Sequence, residues 1–215
     1  MNKDLSNYRK SYEKSELFKK NVPENPLELF QKWFYEIEEH FAIDEGNAMT
    51  LSTVGLDGYP NNRVVLLKRF TYEGFVFFTN YNSEKAKSIK ANPNVCISFF
   101  WHSAERQIII KGKAEKIAEN LSDGYFETRP KGSQLSAWAS DQSEVVESRR
   151  VLEEKLKHFE KKFDNKEVPR PENWGGYIVK PIEIEFWQGR PNRMHDRIRY
   201  TLQEDYNWKI DRLQP

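Results

Sequence analysis

Near the end of the chain, the run Phe186-Trp187-Gln188-Gly189-Arg190-Pro191-Asn192-Arg193-Met194-His195-Asp196-Arg197 puts Arg193, His195 and Arg197 at alternate positions. In an extended strand, residues i, i+2 and i+4 share one face. Two guanidiniums and an imidazole on one face repel each other unless an anion sits there. A second candidate is Arg63 and Lys68, five apart in Arg63-Val64-Val65-Leu66-Leu67-Lys68. On a regular strand they point to opposite faces, which suits either two neighbouring anionic ligands or a plainly charged edge. A third is Tyr125 and Arg129, which share a face if helical, with Ser133 just past Pro130. A phenol, a guanidinium and a hydroxyl near a helix start suit a phosphate. Gln107, Gln142 and Ser143 are neutral polar groups beside apolar segments, of the kind a planar heterocycle needs in an apolar cleft.

The wider composition narrows the ligands. Against 33 acidic residues stand 34 basic ones, a net charge of +1 over 215 residues. No global field draws such a chain to nucleic acid or to a membrane, so any anion site is local. The single cysteine, Cys96, excludes an intramolecular disulfide and a cysteine-based zinc cluster, and reads as a small buried hydrophobe. No apolar leader segment and no run of about 18 apolar residues is present, so the expectation is a cytoplasmic protein without a membrane span. No nucleophile elbow, zinc-protease, P-loop or dinucleotide-binding signature occurs. If the chain is an enzyme, a cofactor carries the hard chemistry and the protein positions it.

The elements that must do the positioning are legible in outline. Residues 1–22 are charged, with few apolar residues, and read as a mobile arm; 23–215 read as one domain. Asn25-Pro26-Leu27-Glu28 opens a helix, and Phe30, Trp33, Phe34, Ile37 and Phe41 continue it over 26–43. Strands follow at 48–54, at 63–70 and at 74–80. A short helix starts at a Ser83 cap, and a hairpin is predicted from the next two apolar runs. Helical patterns occupy 118–130, 131–140 and 147–163, the last with Leu152, Leu156, Phe159 and Phe163 as its stripe. Strands return near 176–187, 197–202 and 206–212. The fold class is α+β, a mainly antiparallel barrel with peripheral helices.

Taken with Arg63–Lys68, "FFTN", "ERQIIIKGKAE", "YFETRPKGSQLSAW", "DQS", "WGGY" and the closing "WKIDRLQP", the 186–197 run strongly resembles the pyridoxamine/pyridoxine 5′-phosphate oxidase family, from about residue 25 to the end. The resemblance implies an FMN-binding split barrel, a homodimer with both flavins at the interface. It implies FMN contacts from Arg63, Val64, Val65, Leu66, Leu67, Lys68, Phe78, Thr79, Lys85 and Gln107, and from Gln142, Ser143, Trp187 and Arg197 of the second subunit. It implies substrate contacts from Lys68, Tyr125, Arg129 and Ser133 to the phosphate, from Arg193 and His195 (the catalytic pair) to the pyridine ring, and from Arg9 and Tyr12 on the arm. The implied reaction removes hydride from the 4′ carbon of pyridoxamine or pyridoxine 5′-phosphate and passes the electrons to O2, giving pyridoxal 5′-phosphate and peroxide, with ammonia from the amine. One departure is Glu84, where the family often has arginine before the lysine equivalent to Lys85. A non-catalytic pyridoxal 5′-phosphate carrier and a split-barrel flavin reductase remain as alternatives.

Overall fold

The structure is a computed structural model that describes residues 2–41 and 43–215. Among them are nine strands: β1 (Ala48–Val54), β2 (Pro60–Leu66), β3 (Arg69–Thr71), β4 (Gly74–Asn80), β5 (Asn94–Trp101), β6 (Arg106–Lys116), β7 (Trp174–Gln188), β8 (Asp196–Leu202) and β9 (Trp208–Leu213). Five α-helices accompany them: α1 (Pro26–His40), α2 (Glu84–Ala91), α3 (Glu119–Glu127), α4 (Lys131–Ala139) and α5 (Arg149–Lys162). The strands are hydrogen-bonded in the order β2-β1-β5-β6-β7-β4-β3, with β8 on β7 and β9 on β8. The class is α+β, as expected. The chain divides into two compact units, one of Met1–Thr50, Ile97–Lys111 and Pro181–Pro215, the other of Leu51–Cys96 and Gly112–Lys180.

In the first unit, α1 begins where the Asn25 side chain accepts the Leu27 N–H at 2.9 Å and Pro26 takes a position that needs no N–H. Phe30, Trp33, Phe34 and Ile37 are buried. Phe30 meets Phe99 at 5.4 Å and Trp33 meets Phe186 edge-on at 5.2 Å; burying each such ring stabilises by roughly 1.5–3 kcal/mol. The helix stops at His40, because Phe41 is already extended (φ −125°, ψ 120°). It is thus shorter than the predicted 26–43, and Ala42 lies outside the described residues. Beneath Trp33, at 4.5 Å, lies the Arg106 guanidinium. It donates to Glu36 at 2.6 Å and to Gln188 Oε1 at 3.0 Å, so the charge of this buried arginine is met by a carboxylate and a neutral acceptor.

In the second unit, β4 pairs antiparallel with β3 and with the first half of β7, where Phe78 faces Gly176 and Thr79 faces Gly175. The two glycines leave room for neighbouring rings: a Cβ at Gly176 would come within 2.9 Å of Phe78, and one at Gly175 would strike the Tyr81 ring. Phe126, Leu135, Phe163, Val168 and Trp174 form a core under α3, α4 and α5. Leu152, predicted on the same stripe, is 40% exposed. The predicted strand 63–70 breaks: β2 ends at Leu66, Leu67 turns inward, and the Lys68 N–H donates to the Val76 carbonyl at 2.8 Å. Arg63 and Lys68 therefore do not share a strand. Ser83 precedes α2 without capping it through its side chain; its hydroxyl donates to Asn80 O at 2.7 Å.

Candidate active site

The alternating cationic face does not form. β7 and β8 pair with Trp187 opposite Arg197 and Gln188 opposite Asp196, but the residues between them leave the sheet. Pro191–Arg193 make a 3-10 turn in which Asn192 (φ 55°) and Arg193 (φ 61°) are left-handed. Proline cannot donate to a ladder, and two left-handed residues end the extended run, at roughly 1–2 kcal/mol each. Arg193 and His195 sit in this connection, while Arg197 belongs to β8. Arg197 is also neutralised: it donates to both carboxylate oxygens of Glu185, at 2.7 and 3.1 Å, and to Gln214 O at 2.9 Å.

Around that connection lies a cavity of about 790 Å³ within the first unit, lined by residues 8–12 and by Trp187, Arg190, Asn192, Arg193 and His195. Arg9, Tyr12, Arg193 and His195 are thus brought together, although Arg9 and His195 are far apart in sequence. Tyr12 stands edge-on to Trp187 at 5.7 Å and lies 5.9 Å from His195; Trp187 and His195 are 4.7 Å apart. The Arg190 backbone N–H donates to His195 Nδ1 at 3.1 Å. With Nδ1 accepting, the neutral imidazole carries its proton on Nε2. Burial, and then the neighbouring Arg193 charge, hold His195 below its ordinary 6.5. The unfolded chain therefore takes up this proton first as pH falls. The connection is free of the protonation penalty above about 6.5 and loses stability as pH drops through the folded value. An NMR titration should place the His195 midpoint below 6.5 with the Nε2–H tautomer; a midpoint above 6.5 would contradict this geometry.

The second unit contains a different cluster. Arg63 donates to Thr53 Oγ1 at 2.7 Å and to Leu51 O at 3.2 Å. Lys85 is 9% exposed. Its ammonium donates to Gln142 Oε1 at 2.8 Å and to Ser83 Oγ at 3.4 Å, and Thr79 Oγ1 donates to the same Gln142 oxygen at 2.9 Å. Burial, and then Arg63, push Lys85 down to about 8. Burial also disfavours the Arg63 charge, and exposed Glu84 partly offsets this. Ser143, beside Gln142, is exposed with φ 75°.

Nearby in the same unit, Tyr125 stacks on Phe78 at 4.0 Å and Phe78 on Trp174 at 5.4 Å. The Arg129 guanidinium lies 4.5 Å from the Trp174 ring centre. Because α3 ends at Glu127, Arg129 lies beyond the helix and the predicted shared helical face with Tyr125 is not made. Its Nη1 is buried without a hydrogen-bond partner, and burial lowers its affinity for protons. Ser133 is half-buried in α4, its N–H on Pro130 O at 2.8 Å. Lys68 and Tyr125 line a cavity of about 310 Å³ together with Arg69, a residue the sequence reading missed; only its position beside Lys68 pointed to it. Of the remaining predicted residues, Val64 is exposed, Val65 and Leu66 are half-buried on β2, and Gln107 is half-buried on β6 in the first unit.

Ion pairing separates the arginines. Arg106, Arg149, Arg150, Arg170, Arg190, Arg197, Arg199 and Arg212 each meet a carboxylate. Among the described residues, Arg9, Arg63, Arg69, Arg129 and Arg193 form no ion pair, and neither do Lys68 and Lys85. Cations left without carboxylates, some of them buried, are what anionic ligands require.

Solved structures share this fold. A pyridoxamine 5′-phosphate oxidase-related, FMN-binding protein from Nostoc punctiforme PCC 73102 shares it, with a TM-score of 0.69 over 86% of this chain and 96% of that one, at 14% identity. PhzG from Burkholderia lata 383, solved with tetrahydrophenazine-1-carboxylic acid, matches with a TM-score of 0.86 at 27% identity, covering 93% and 98% of the two chains. Residues 36–163 match the pyridoxamine 5′-phosphate oxidase family, and 174–215 match the family's region described as the pyridoxine 5′-phosphate oxidase C-terminal dimerisation region. The pyridoxine/pyridoxamine 5′-phosphate oxidase of Flavobacterium psychrophilum is 68% identical over 99% of this chain and 100% of its own length; that of Christiangramia forsetii is 52% identical over 100% of both. The chain belongs to the pyridoxamine 5′-phosphate oxidase family.

Proposed function

We infer that this chain oxidises pyridoxamine 5′-phosphate and pyridoxine 5′-phosphate to pyridoxal 5′-phosphate, with FMN as its resident cofactor and O2 as final acceptor. The observation that carries the reading is the set of cations without carboxylates, Arg63, Lys85 and Arg129 above all, in a chain of this family. Buried or half-buried positive groups held only by neutral acceptors or ring faces fit phosphate dianions.

In this reading Arg63 and Lys85 hold the FMN phosphate. The Arg63–Lys68 backbone, Phe78, Thr79, Gln107, Gln142, Ser143, Trp187 and Arg197 serve the rest of the cofactor. FMN, when bound, supplies the two-electron oxidant for the 4′ carbon, and O2 removes the electrons as peroxide. Lys68, Tyr125, Arg129 and Ser133 take the substrate phosphate, which is remote binding energy spent on orienting the reacting carbon. Orphaned Arg129 Nη1 gains an acceptor there. Arg193 stays charged and so stabilises developing negative charge rather than accepting a proton. His195, neutral with its proton on Nε2, donates a hydrogen bond. Arg9 and Tyr12, on the arm of residues 1–22, close over the ring, while 23–215 serve as one FMN-binding domain. The working state is a cytoplasmic homodimer with FMN at its interface, a reading supported by the match to a dimerisation region.

The purified protein should be yellow. Anaerobic mixing with pyridoxamine 5′-phosphate should bleach the flavin band, and admission of air should restore it with pyridoxal 5′-phosphate and peroxide in equal amounts. A colourless protein that binds only the aldehyde would make it a carrier, and bleaching by reduced nicotinamide alone would make it a flavin reductase.

A further inference from the structure

We propose that Glu105 is a positioning residue: it latches residues 10–14 and thereby holds Tyr12 and Arg9 on the cavity lined by Arg193 and His195. The proposal rests on the reading of that cavity as the substrate's. Glu105 follows the 3-10 turn His102–Ala104 between β5 and β6 and is left-handed, with φ 57°. It is 2% exposed. A carboxylate so buried requires partners, and those of this side chain come from the arm. Oε2 accepts the backbone N–H of Glu13 at 2.9 Å and of Lys14 at 3.1 Å. Oε1 faces the Lys10 ammonium at 3.4 Å, a half-exposed pair of little weight.

The backbone of the same residue grips the opposite wall. Its carbonyl accepts the Gly189 N–H at 2.8 Å and Gln188 Nε2 at 3.2 Å, at the start of the connection that carries Arg193 and His195. The Lys14 ammonium adds a bond to Ser103 O at 2.6 Å. Tyr12 is thereby pressed onto Gly189, where a Cβ would lie 2.7 Å from the ring, and edge-on to Trp187. Glu105 is not among the residues lining the cavity, so it acts through the arm and not on the reacting atoms. Two bonds from adjacent amides to one charged oxygen fix the register of the segment, which a single neutral contact would not.

The test compares the FMN-loaded full-length protein with Glu105→Gly and Glu105→Gln. Glycine removes the carboxylate at a backbone position it adopts without strain, which protects folding. Glutamine keeps an oxygen able to accept both N–H groups. For Glu105→Gly, KM for pyridoxamine 5′-phosphate should rise about tenfold with kcat within about twofold, since the loss falls on binding and not on the chemical step. Hydrogen exchange at the Glu13 and Lys14 amides should quicken by about tenfold or more. Glu105→Gln should stay within about threefold of the wild-type KM. A wild-type KM in the glycine variant, unchanged exchange at residues 13 and 14, or equal impairment of both variants would overturn the latch. If the wild-type protein oxidises no vitamin B6 phosphate, the functional reading fails on its own, and amide exchange still decides the latch.

Discussion

Arg193→Ala should lower turnover by about 100-fold or more while leaving FMN affinity within about twofold, because removing one group that stabilises developing charge costs this much in comparable sites. The structure supplies the reason for the separation. Arg193 belongs to the first-unit cavity with Tyr12 and His195, whereas Arg63, Lys85 and Gln142 cluster in the second unit. Arg193 also forms no ion pair among the described residues, so its removal leaves no carboxylate unpartnered and should barely change the melting temperature. Arg193→Lys should restore little. An ammonium lacks the planar fork of a guanidinium and cannot reproduce its paired donors. Rapid mixing under nitrogen measures the chemical step directly through flavin bleaching. Parallel loss of flavin binding and turnover would make Arg193 structural and defeat this assignment.

Lys85→Met should weaken FMN binding by about 100-fold, the equivalent of losing one or two charge-assisted phosphate bonds at roughly 1.5–3 kcal/mol each. The same change should leave the flavin-free protein as stable as wild type or more so. Its ammonium is buried beside Arg63 and compensated only by Gln142 and Ser83 oxygens, and an apolar chain of similar length fits there without desolvation. The pH dependence has a definite sign. Lys85 is depressed from 10.5 to about 8 when folded, so between about pH 8 and 10.5 the unfolded chain holds the proton that the folded chain has released. Stability of the flavin-free protein therefore rises with pH across that window from this group, and the burial penalty is present in full below about 8. FMN affinity runs the other way, falling as pH climbs past 8 and the ammonium is lost. Flavin fluorescence titrations from pH 7 to 9.5, with thermal melts of the flavin-free protein, read both. Pronounced destabilisation of the flavin-free Lys85→Met protein, or an affinity that does not depend on Lys85, would remove it from the phosphate site.

Glu84 belongs with this argument. At the position where the family resemblance implies arginine, this chain has an exposed carboxylate whose field supports the Arg63 charge. It changes the potential around the cluster without entering its hydrogen bonds: Lys85, Thr79 and Gln142 satisfy one another regardless.

How much of this was readable in advance depended on how local the cause was. The start of α1 follows from Asn25 and Pro26 alone, and β1 and β4 match the predicted 48–54 and 74–80, because capping chemistry and alternating burial act over a few residues. The break after Leu66 was not readable, because Lys68 leaves the strand to bond Val76, on β4. Nor was the end of α3, which moves Arg129 off the helix and onto Trp174, 45 residues further along the chain. The apparent strand of alternating cations at 193–197 failed for a similar reason: Pro191 hinted at the turn, but the residues leading into it are fixed by distant partners, Gly189 by the Glu105 carbonyl and Arg190 by Ser15 and Glu16 of the arm.

Residue chemistry and motif order were thus settled by the sequence itself: which cations exist, that no catalytic signature accompanies them, and which family the ordered motifs resemble. Tertiary structure alone decided which of those cations are neutralised. Arg106 finds Glu36 and Arg197 finds Glu185, while Arg63, Lys85 and Arg129 end among neutral groups and ring faces. Charge compensation acts over a few ångströms of space, whatever the separation along the chain, so only the folded protein shows where a phosphate is needed.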